Sequence, residues 1–509
     1  MRLLALPHMA KQFDVAVIGA GIAGLTAAAL LQHDGVRVLL LEAHDKPGGC
    51  AGYFPIRDFS FDAGATVALG FEPGGLHRRV FDYVGYTDYQ AQLLEGLRML
   101  LPDRELMIWH DPIKWKAARR TLPGHRLTQE LFWHLLEIVA DASWRALERL
   151  PSLPLQTSRD WMRNLKLLNP KLAPLAPFLR CTMGDILRWL RLEYDRAFLA
   201  VINLLLIITV QEEAACAPFI NACAGMDLFR HGGFHLRGGM GAIARHLLAA
   251  FQGDGGVVRF SETVCRVLPK TIKGKRSFSV ITAKGEYEVP RVVANVPLQS
   301  VPHLADLPPR ALRNACRFEE RGGEGWGAVT LYAAVRETAV PAGTPLHQQV
   351  LLDYAARSGD GRDIFLSLSA PGDNEQAPNG WRTLTVSSHT RLGQWRDLSL
   401  LEYRERKRAW REKLLQGVRR ALPEFDARRK FIITGTPKTW EGYTRRPAGA
   451  VGGVPLTLRN TNLNAIPQRL GLRNLWVVGD TTFPGQGTVA CALSGINAWR
   501  DITGKRGIP

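Results

Sequence analysis

The stretch Phe13-Asp-Val-Ala-Val-Ile-Gly-Ala-Gly-Ile-Ala-Gly24, with Glu42 closing Val36-Arg-Val-Leu-Leu-Leu-Glu42, limits what this chain can fold into more than any other feature. A short apolar run reads as a buried strand, and Ala23 to Gln32 reads as an Ala- and Leu-rich helix. Between them Gly19, Gly21 and Gly24 fill the G-x-G-x-x-G frame. The three glycines serve different ends, namely a tight turn, close backbone approach to a pyrophosphate, and close packing of helix on strand. The pyrophosphate belongs at the helix N-terminus, where free amides and the helix dipole favour an anion. Glu42 ends the second strand at the spacing of the acid that holds a ribose hydroxyl. A bare glycine frame also occurs in ordinary βα turns. Strand, frame, helix and acid in order predict an adenine-dinucleotide site.

At 509 residues the chain is long enough for two or three domains with sizeable cores. Its 46% hydrophobic and 22% charged residues are those of a globular protein. The net charge of +18 calls for a partner such as nucleic acid, anionic lipid or an acidic protein. No basic module interleaved with aromatics is present, which argues against nucleic acid. An anionic membrane surface is the better match, with Lys114 to Arg126 and Arg404 to Lys430 as basic clusters; either cluster also reads as a plain solvated face. Seven cysteines at irregular spacing form no C-x-x-C pair, so reduced thiols on the cytoplasmic side are expected, with no disulfide framework and no metal site. Met1 to Lys11 has too short an apolar stretch for a signal peptide, and Met9 is an alternative start. The apolar run Phe198 to Val210 is interrupted by Asn203 and Thr209 and falls short of the ~20 residues that span a bilayer. It reads as a core helix; its functional alternatives are the lining of an apolar substrate tunnel or a face dipping into lipid. Peripheral membrane association without a transmembrane segment is the expectation.

The text of the chain divides into five segments. Residues 1–75 carry the dinucleotide frame and the continuation Pro47-Gly-Gly-Cys-Ala-Gly-Tyr53; residues 76–231 turn helical, with Pro-marked breaks. A second α/β piece spans 232–300, opened by Gly232-Gly-Phe-His-Leu-Arg-Gly-Gly-Met240 and closed by Val292-Val-Ala-Asn295. Strand-like runs alternate through 301–430, ahead of a charged helix bearing Tyr403, Trp410, Leu414 and Val418 at helical spacing. The last segment, 431–509, holds the buried strand Leu475-Trp-Val-Val-Gly-Asp480, a Gly-rich turn and a helix from Thr488. The predicted fold is α/β: a Rossmann-like nucleotide-binding domain assembled from three separated segments, with an α+β substrate domain built from the two insertions.

The glycine frame with distal Glu42, then Gly48-Gly49, Gly238-Gly-Met-Gly-Ala242 and Val478-Gly-Asp480 together resemble FAD-dependent flavoproteins of the amine oxidase and glutathione reductase type. Gly48-Gly-Cys-Ala-Gly-Tyr-Phe54, Phe61-Asp-Ala-Gly-Ala-Thr66, Thr436-Pro-Lys-Thr-Trp440 and Gly479-Asp-Thr-Thr-Phe-Pro-Gly-Gln-Gly487 resemble the carotenoid desaturase and isomerase branch, which is phytoene desaturase-like. The run Phe61 to Gly75 looks most like cyanobacterial-type carotenoid 3,4-desaturases.

The resemblance implies FAD as cofactor and assigns it residue by residue. Gly19, Gly21 and Gly24 match the pyrophosphate turn and Glu42 the adenosine ribose contact. Gly48 and Gly49 match the loop that approaches the dinucleotide; its third residue is often Arg, and Cys50 stands here. Val264 matches the backbone partner of adenine, and Asp480 the carboxylate near the ribityl and phosphate region, although an isolated Gly-Asp pair also reads as an N-cap or turn. Thr488 and Val489 begin the helix whose amide-rich end faces the flavin pyrimidine, where a helix N-terminus stabilises negative charge. The turn Phe483-Pro-Gly-Gln-Gly487 is expected at the flavin end of the substrate channel.

Several other constellations carry no site. His231 and His235 are four apart, but Gly232 and Gly233 between them oppose a helix. Ser494-Gly495 lacks the flanks of a nucleophile elbow, and Cys216 and Cys223 read as core thiols. No spacing singles out a catalytic residue. What the resemblance implies is desaturation of a long apolar polyene: hydride transfer to flavin, with loss of a proton from the neighbouring carbon. The electron acceptor, whether oxygen, quinone or a nicotinamide, leaves no mark in the sequence. Rival readings are a carotene cis–trans isomerase or polyene saturase on the same scaffold, an amine oxidase, and a non-catalytic prenyl-binding carrier. The carrier predicts degraded nucleotide motifs, and these are intact.

Overall fold

The computed structural model describes residues 13–272, 274–355 and 357–508; the Met1 to Lys11 segment lies outside them. At its centre is a five-stranded parallel sheet in the order Leu475–Val477, Val292–Ala294, Val15–Ile18, Val38–Leu41, Val257–Arg259. Four of its strands are uninterrupted buried apolar runs because both faces are covered, as a parallel sheet requires, while the edge strand ends on the exposed Arg259. On one face lie three helices, Ile22–His33, Gly241–Gly253 and Thr488–Thr503. The first is apolar on all sides and buried from Ile22 to Leu31, since it is sandwiched between the sheet and the last helix. That approach needs Gly495: a Cβ there would stand 2.4 Å from the Ala23 carbonyl oxygen. On the other face an antiparallel meander, Val264–Ile272, Lys275–Thr282 and Glu286–Val289, packs Val267, Phe278 and Val280 against Ala16, Ile18 and Leu39.

The second sheet has seven strands in the order Arg429–Gly435, Trp326–Arg336, Trp381–Arg391, Asp363–Leu368, His347–Leu351, Gly96–Leu100, Glu105–Trp109. All neighbours are antiparallel except His347–Leu351 with Gly96–Leu100. The 76–231 segment is therefore not helical throughout, because its strands between Gly96 and Trp109 extend a sheet whose other members begin only at Trp326. Alternation then sorts the faces. Val329, Leu331, Ile364, Leu366, Leu384 and Val386 pack on the helix Leu400–Ala421 through Trp410, Leu414 and Val418. The opposite face carries Thr330, Tyr332, Phe365, Thr385, Ser387 and His389, and turns towards the nucleotide-binding sheet: Tyr332 Oη donates to the Ala63 carbonyl at 2.5 Å. A helical layer, chiefly Arg126–Glu148, Arg196–Thr209 and Phe219–Met226, closes the molecule around its own core.

Candidate cofactor and substrate site

The glycine turn is built around a residue that the sequence left without a role. Gly19 has φ +94°, and a Cβ there would lie 2.6 Å from the Asn295 carbonyl oxygen. A Cβ on Gly24 would stand 2.1 Å from Gly19 O, which is the close packing of helix on turn expected of the third glycine. At Gly21 the frame predicts approach of the pyrophosphate; the protein group that crowds this position is the Asn295 side-chain amide, 2.6 Å from a built Cβ. That amide, oriented to satisfy both of its ends, accepts from Gly21 N at 3.0 Å and donates to Val478 O at 3.3 Å. It ties together the ends of three parallel strands, at the carboxyl edge where such sheets bind ligands.

Glu42 anchors the adjoining loop. Its Oε2 accepts from Ala20 N at 2.6 Å and its Oε1 from His44 N at 2.7 Å. Arg259, Ser261 and Glu262 run beside it through backbone bonds to residues 42 and 44, which brings Val264 to the same end of the sheet as Glu42. Gly48 and Gly49, at φ +116° and +56°, place their loop alongside the frame: Gly48 N donates to Ala20 O at 2.8 Å, and a Cβ on Gly49 would lie 3.6 Å from Gly21 Cα.

Two helices begin here without a cap. Ile22–His33 follows Gly21 and Thr488–Thr503 follows Gly487; neither has a side-chain cap bond or an acidic residue in its first turn. Their leading amides are free for an anion and for a carbonyl-rich ring edge, so the residues present fit a dinucleotide carrying a flavin. Thr488 and Val489 lead the second helix, and Val489 meets the position a Cβ on Gly70 would take, 3.0 Å away. A Cβ on Gly487, at φ +93°, meets nothing within 4 Å. Asp480 is no N-cap. It forms an ion pair of 3.0 Å with Arg446, and a Cβ on Gly453 would lie 2.2 Å from its carbonyl oxygen. Spacing missed Asn295 and Arg446, which reach Gly21 and Asp480 only through tertiary packing.

The apolar run is core: Phe198, Val201, Ile202 and Leu204 to Ile207 are buried in the helix Arg196–Thr209. It does not dip into lipid. Its C-terminal end abuts the Phe483 to Gly487 turn, where Gln486 Nε2 donates to Thr209 O, and Leu456 N donates to Val210 O at 3.0 Å. Beside this contact lie Gln211 and His389, with Nε2 atoms 3.5 Å apart, and the Trp326 ring 5.8 Å from the imidazole. Burial pushes His389 down to about 4, so it is neutral at pH 7. Trp440 packs where a Cβ on Gly64 would stand, 3.0 Å from its ring.

The basic clusters are partly spent inside the protein. Arg119 is buried and paired with Glu137 at 2.6 Å; Arg420 donates to the carbonyls of Leu351 and Leu101, and Arg419 pairs with Glu412 and Asp426. His231 packs on Trp144 and His235 pairs with Asp373 at 3.0 Å. Among the described residues no group of histidine, cysteine and carboxylate could hold a metal ion, all seven cysteines are free, and no helix is long and apolar enough to cross a membrane.

A parallel sheet drawn from separated segments, a glycine turn at its carboxyl edge and a second uncapped helix beside it define a dinucleotide-binding flavoprotein. A family model described as flavin containing amine oxidoreductase matches residues 22–503, and the chain belongs to that family. It is an FAD-dependent oxidoreductase. Among its relatives are a prolycopene isomerase of an Oncidium hybrid cultivar, 26% identical over 98% of this chain and 85% of that protein, and the Arabidopsis thaliana prolycopene isomerase, 25% identical over 95% and 81%. The human all-trans-retinol 13,14-reductase is 24% identical over 93% of this chain and 83% of its own length. Among solved structures, a putrescine oxidase variant superposes with a TM-score of 0.64 at 15% identity, covering 97% of this chain and 99% of its own; an oxidoreductase from Methanosarcina mazei gives 0.61 at 16%, covering 95% and 99%. These relatives agree with the carotenoid desaturase and isomerase branch, and the solved structures with the fold.

Proposed function

We propose that this enzyme acts on a long apolar polyene and alters its double bonds by hydride exchange at the flavin. The observation that carries the reading is relation along most of both chains to enzymes of two polyene chemistries, prolycopene isomerisation and retinol reduction, in a chain whose own dinucleotide frame is intact. When bound, FAD supplies the hydride acceptor and donor. The residues of this chain do the rest. The amide end of Thr488–Thr503 faces developing negative charge, the apolar flank of Arg196–Thr209 excludes water, and neutral His389 with Gln211 offers polar atoms beside the turn that closes the channel. Two net outcomes share this first step. Desaturation is the reading of the Phe61 to Gly75 and Gly479 to Gly487 motifs; cis–trans isomerisation is favoured by the prolycopene isomerases. Expression in carotenoid-producing bacteria with pigment analysis separates them. A red-shifted product of lower mass indicates desaturation, and an unchanged mass with altered retention indicates isomerisation. Unchanged pigment, with oxidation of primary amines by the purified protein, would replace the proposal by amine oxidation.

The site of action is proposed to be an anionic membrane surface, where such a substrate dissolves. Support comes from the net charge and from apolar side chains that the helical layer leaves outward: Leu127, Leu131 and Ile138 on one face of Arg126–Glu148, and Trp161, Leu165 and Leu168 at i, i+4 and i+7. Leu127 and Leu168 are 77% and 82% exposed.

A further inference from the structure

The Gly48-Gly49 loop ends on Cys50, where chains of similar pattern often carry an arginine, so this loop brings no cation of its own to that position. The fold delivers one from far along the chain. The helix Pro437–Thr444 ends at Arg445 in the left-handed region, φ +56°, and the next residue turns inward. Only 11% of the Arg446 side chain is exposed. Its Nε donates to Ala450 O at 2.8 Å, Nη1 and Nη2 each reach Asp480 Oδ1 at 3.2 Å, and Nη1 lies 3.0 Å from Oδ2. The guanidinium stands beside the thiols of Cys50 and Cys491, which face it from the glycine loop and from the first turn of the last helix. Four groups from three separated stretches thus meet at one point on the carboxyl edge of the sheet.

An ion pair at this depth costs desolvation of both partners, and apolar packing would hold the chain together equally well. Its bonds to Ala450 and Asp480 can be made with three of the five guanidinium N–H groups, which leaves two for another acceptor. Beside Asp480 and Ala450 its neighbour is the Cys50 thiol, a weak acceptor, and a planar guanidinium matches a phosphate better than a thiol.

We propose that Arg446 is the cofactor-binding cation of this chain: held by Asp480 and Ala450, its guanidinium reaches the pyrophosphate–ribityl end of FAD and takes the part that Cys50 leaves open. The proposal builds on the family's FAD, and wild-type protein that bound none would remove that ground rather than this one residue. A purely internal role, in which Arg446 only neutralises Asp480 and pins the 446–453 loop, makes different predictions.

The test is titration of deflavinated protein with FAD, read by flavin fluorescence, with circular dichroism confirming the fold. Arg446→Gln is expected to weaken FAD binding on the order of 10- to 100-fold, the range for losing hydrogen bonds from a charged donor. Adding Cys50→Arg to Arg446→Gln is expected to recover at least about tenfold of that loss, because the cation returns from the loop; adding Asp480→Asn is expected to recover none. Absence of recovery by Cys50→Arg overturns the claim that Arg446 substitutes for that position. Recovery by Asp480→Asn would identify a stranded carboxylate as the whole effect and overturn the proposal outright. Should Arg446→Gln fail to fold, Arg446→Lys keeps the charge beside Asp480 but loses the fork; a drop of about tenfold in FAD affinity supports the proposal, and wild-type affinity in the folded variant defeats it.

Discussion

Gly21 shows how one position can answer to two constraints. Its missing Cβ makes room for pyrophosphate in the glycine frame, yet the atom that a side chain would strike first is the Asn295 amide, 2.6 Å away. Gly21→Ala should therefore lose the bond from Gly21 N to Asn295 along with flavin retention, at about 1–3 kcal/mol of stability for the displaced buried amide. The Gly21→Ala/Asn295→Ala pair should cost less than the two single changes added together, and urea melts of the four proteins measure this. Strict additivity would clear Asn295 of the crowding. His77 poses a simpler problem. It is fully buried, stacked on Phe71 at 5.4 Å, and among the described residues neither ring nitrogen has a hydrogen-bond partner. Burial pulls it down to about 4. The unfolded chain then takes up the proton first as pH falls below about 6.5, so native stability is whole above that pH and declines towards pH 4, by at most about 3 kcal/mol. His77→Phe should lessen that decline in acid melts while leaving FAD affinity untouched. A parallel decline in both proteins would acquit the histidine.

At the scale of elements, the last helix and the turn before it are the place to test the proposed flavin contact. Thr488–Thr503 begins on Gly487 with φ +93°, uncapped, and a Cβ at Gly487 would project into open space. Space alone would tolerate a side chain; the backbone conformation would not, since β-branched residues strain at positive φ. Gly487→Val should fold on the strength of the buried remainder of the helix, but displace its leading amides. Turnover should fall tenfold or more, with a shifted flavin absorption band or potential. If the turn is mere connection, spectrum, potential and product yield will all match the wild type. The helix Arg196–Thr209 teaches the complementary lesson. Its hydropathy allows core, tunnel wall or lipid-facing surface, and burial of Phe198, Val201 and Leu204 to Ile207 leaves the first two.

Over the whole molecule, charge and exposed apolar surface bear on where the enzyme works. Flotation with liposomes should show partition into anionic vesicles that weakens with salt, since exposed charges are screened beyond about 10 Å at 0.1 M. Replacing Leu127, Leu131 and Ile138 together by Ser should reduce partition without altering FAD content. Equal binding to neutral and anionic vesicles, indifferent to salt, would leave only apolar insertion. The basic clusters offer less free charge than their sequence suggests, because sequence cannot tell that Arg119 and Arg420 are paired with Glu137 and with the carbonyls of Leu351 and Leu101. The dinucleotide frame was legible because its constraints are local. A turn at Gly19, a strand before it and a helix after it are dictated by backbone sterics and hydrophobic period within about thirty residues. The same holds for the uncapped start of the last helix and for four strands of the seven-stranded sheet, but not for Gly96–Leu100 and Glu105–Trp109, which lie in a stretch that reads as helical and join the sheet only through long-range pairing. Asn295 and Arg446 were not legible, for neither has a neighbour in sequence that marks it. Only the folded chain puts Asn295 between Gly21 and Val478, and Arg446 between Asp480 and Cys50. Sequence alone determined the cofactor class and the strand–turn–helix elements of the candidate site, since those depend on nearest neighbours; the tertiary structure decided which buried polar groups meet there, because bringing together residues hundreds of positions apart is the work of packing.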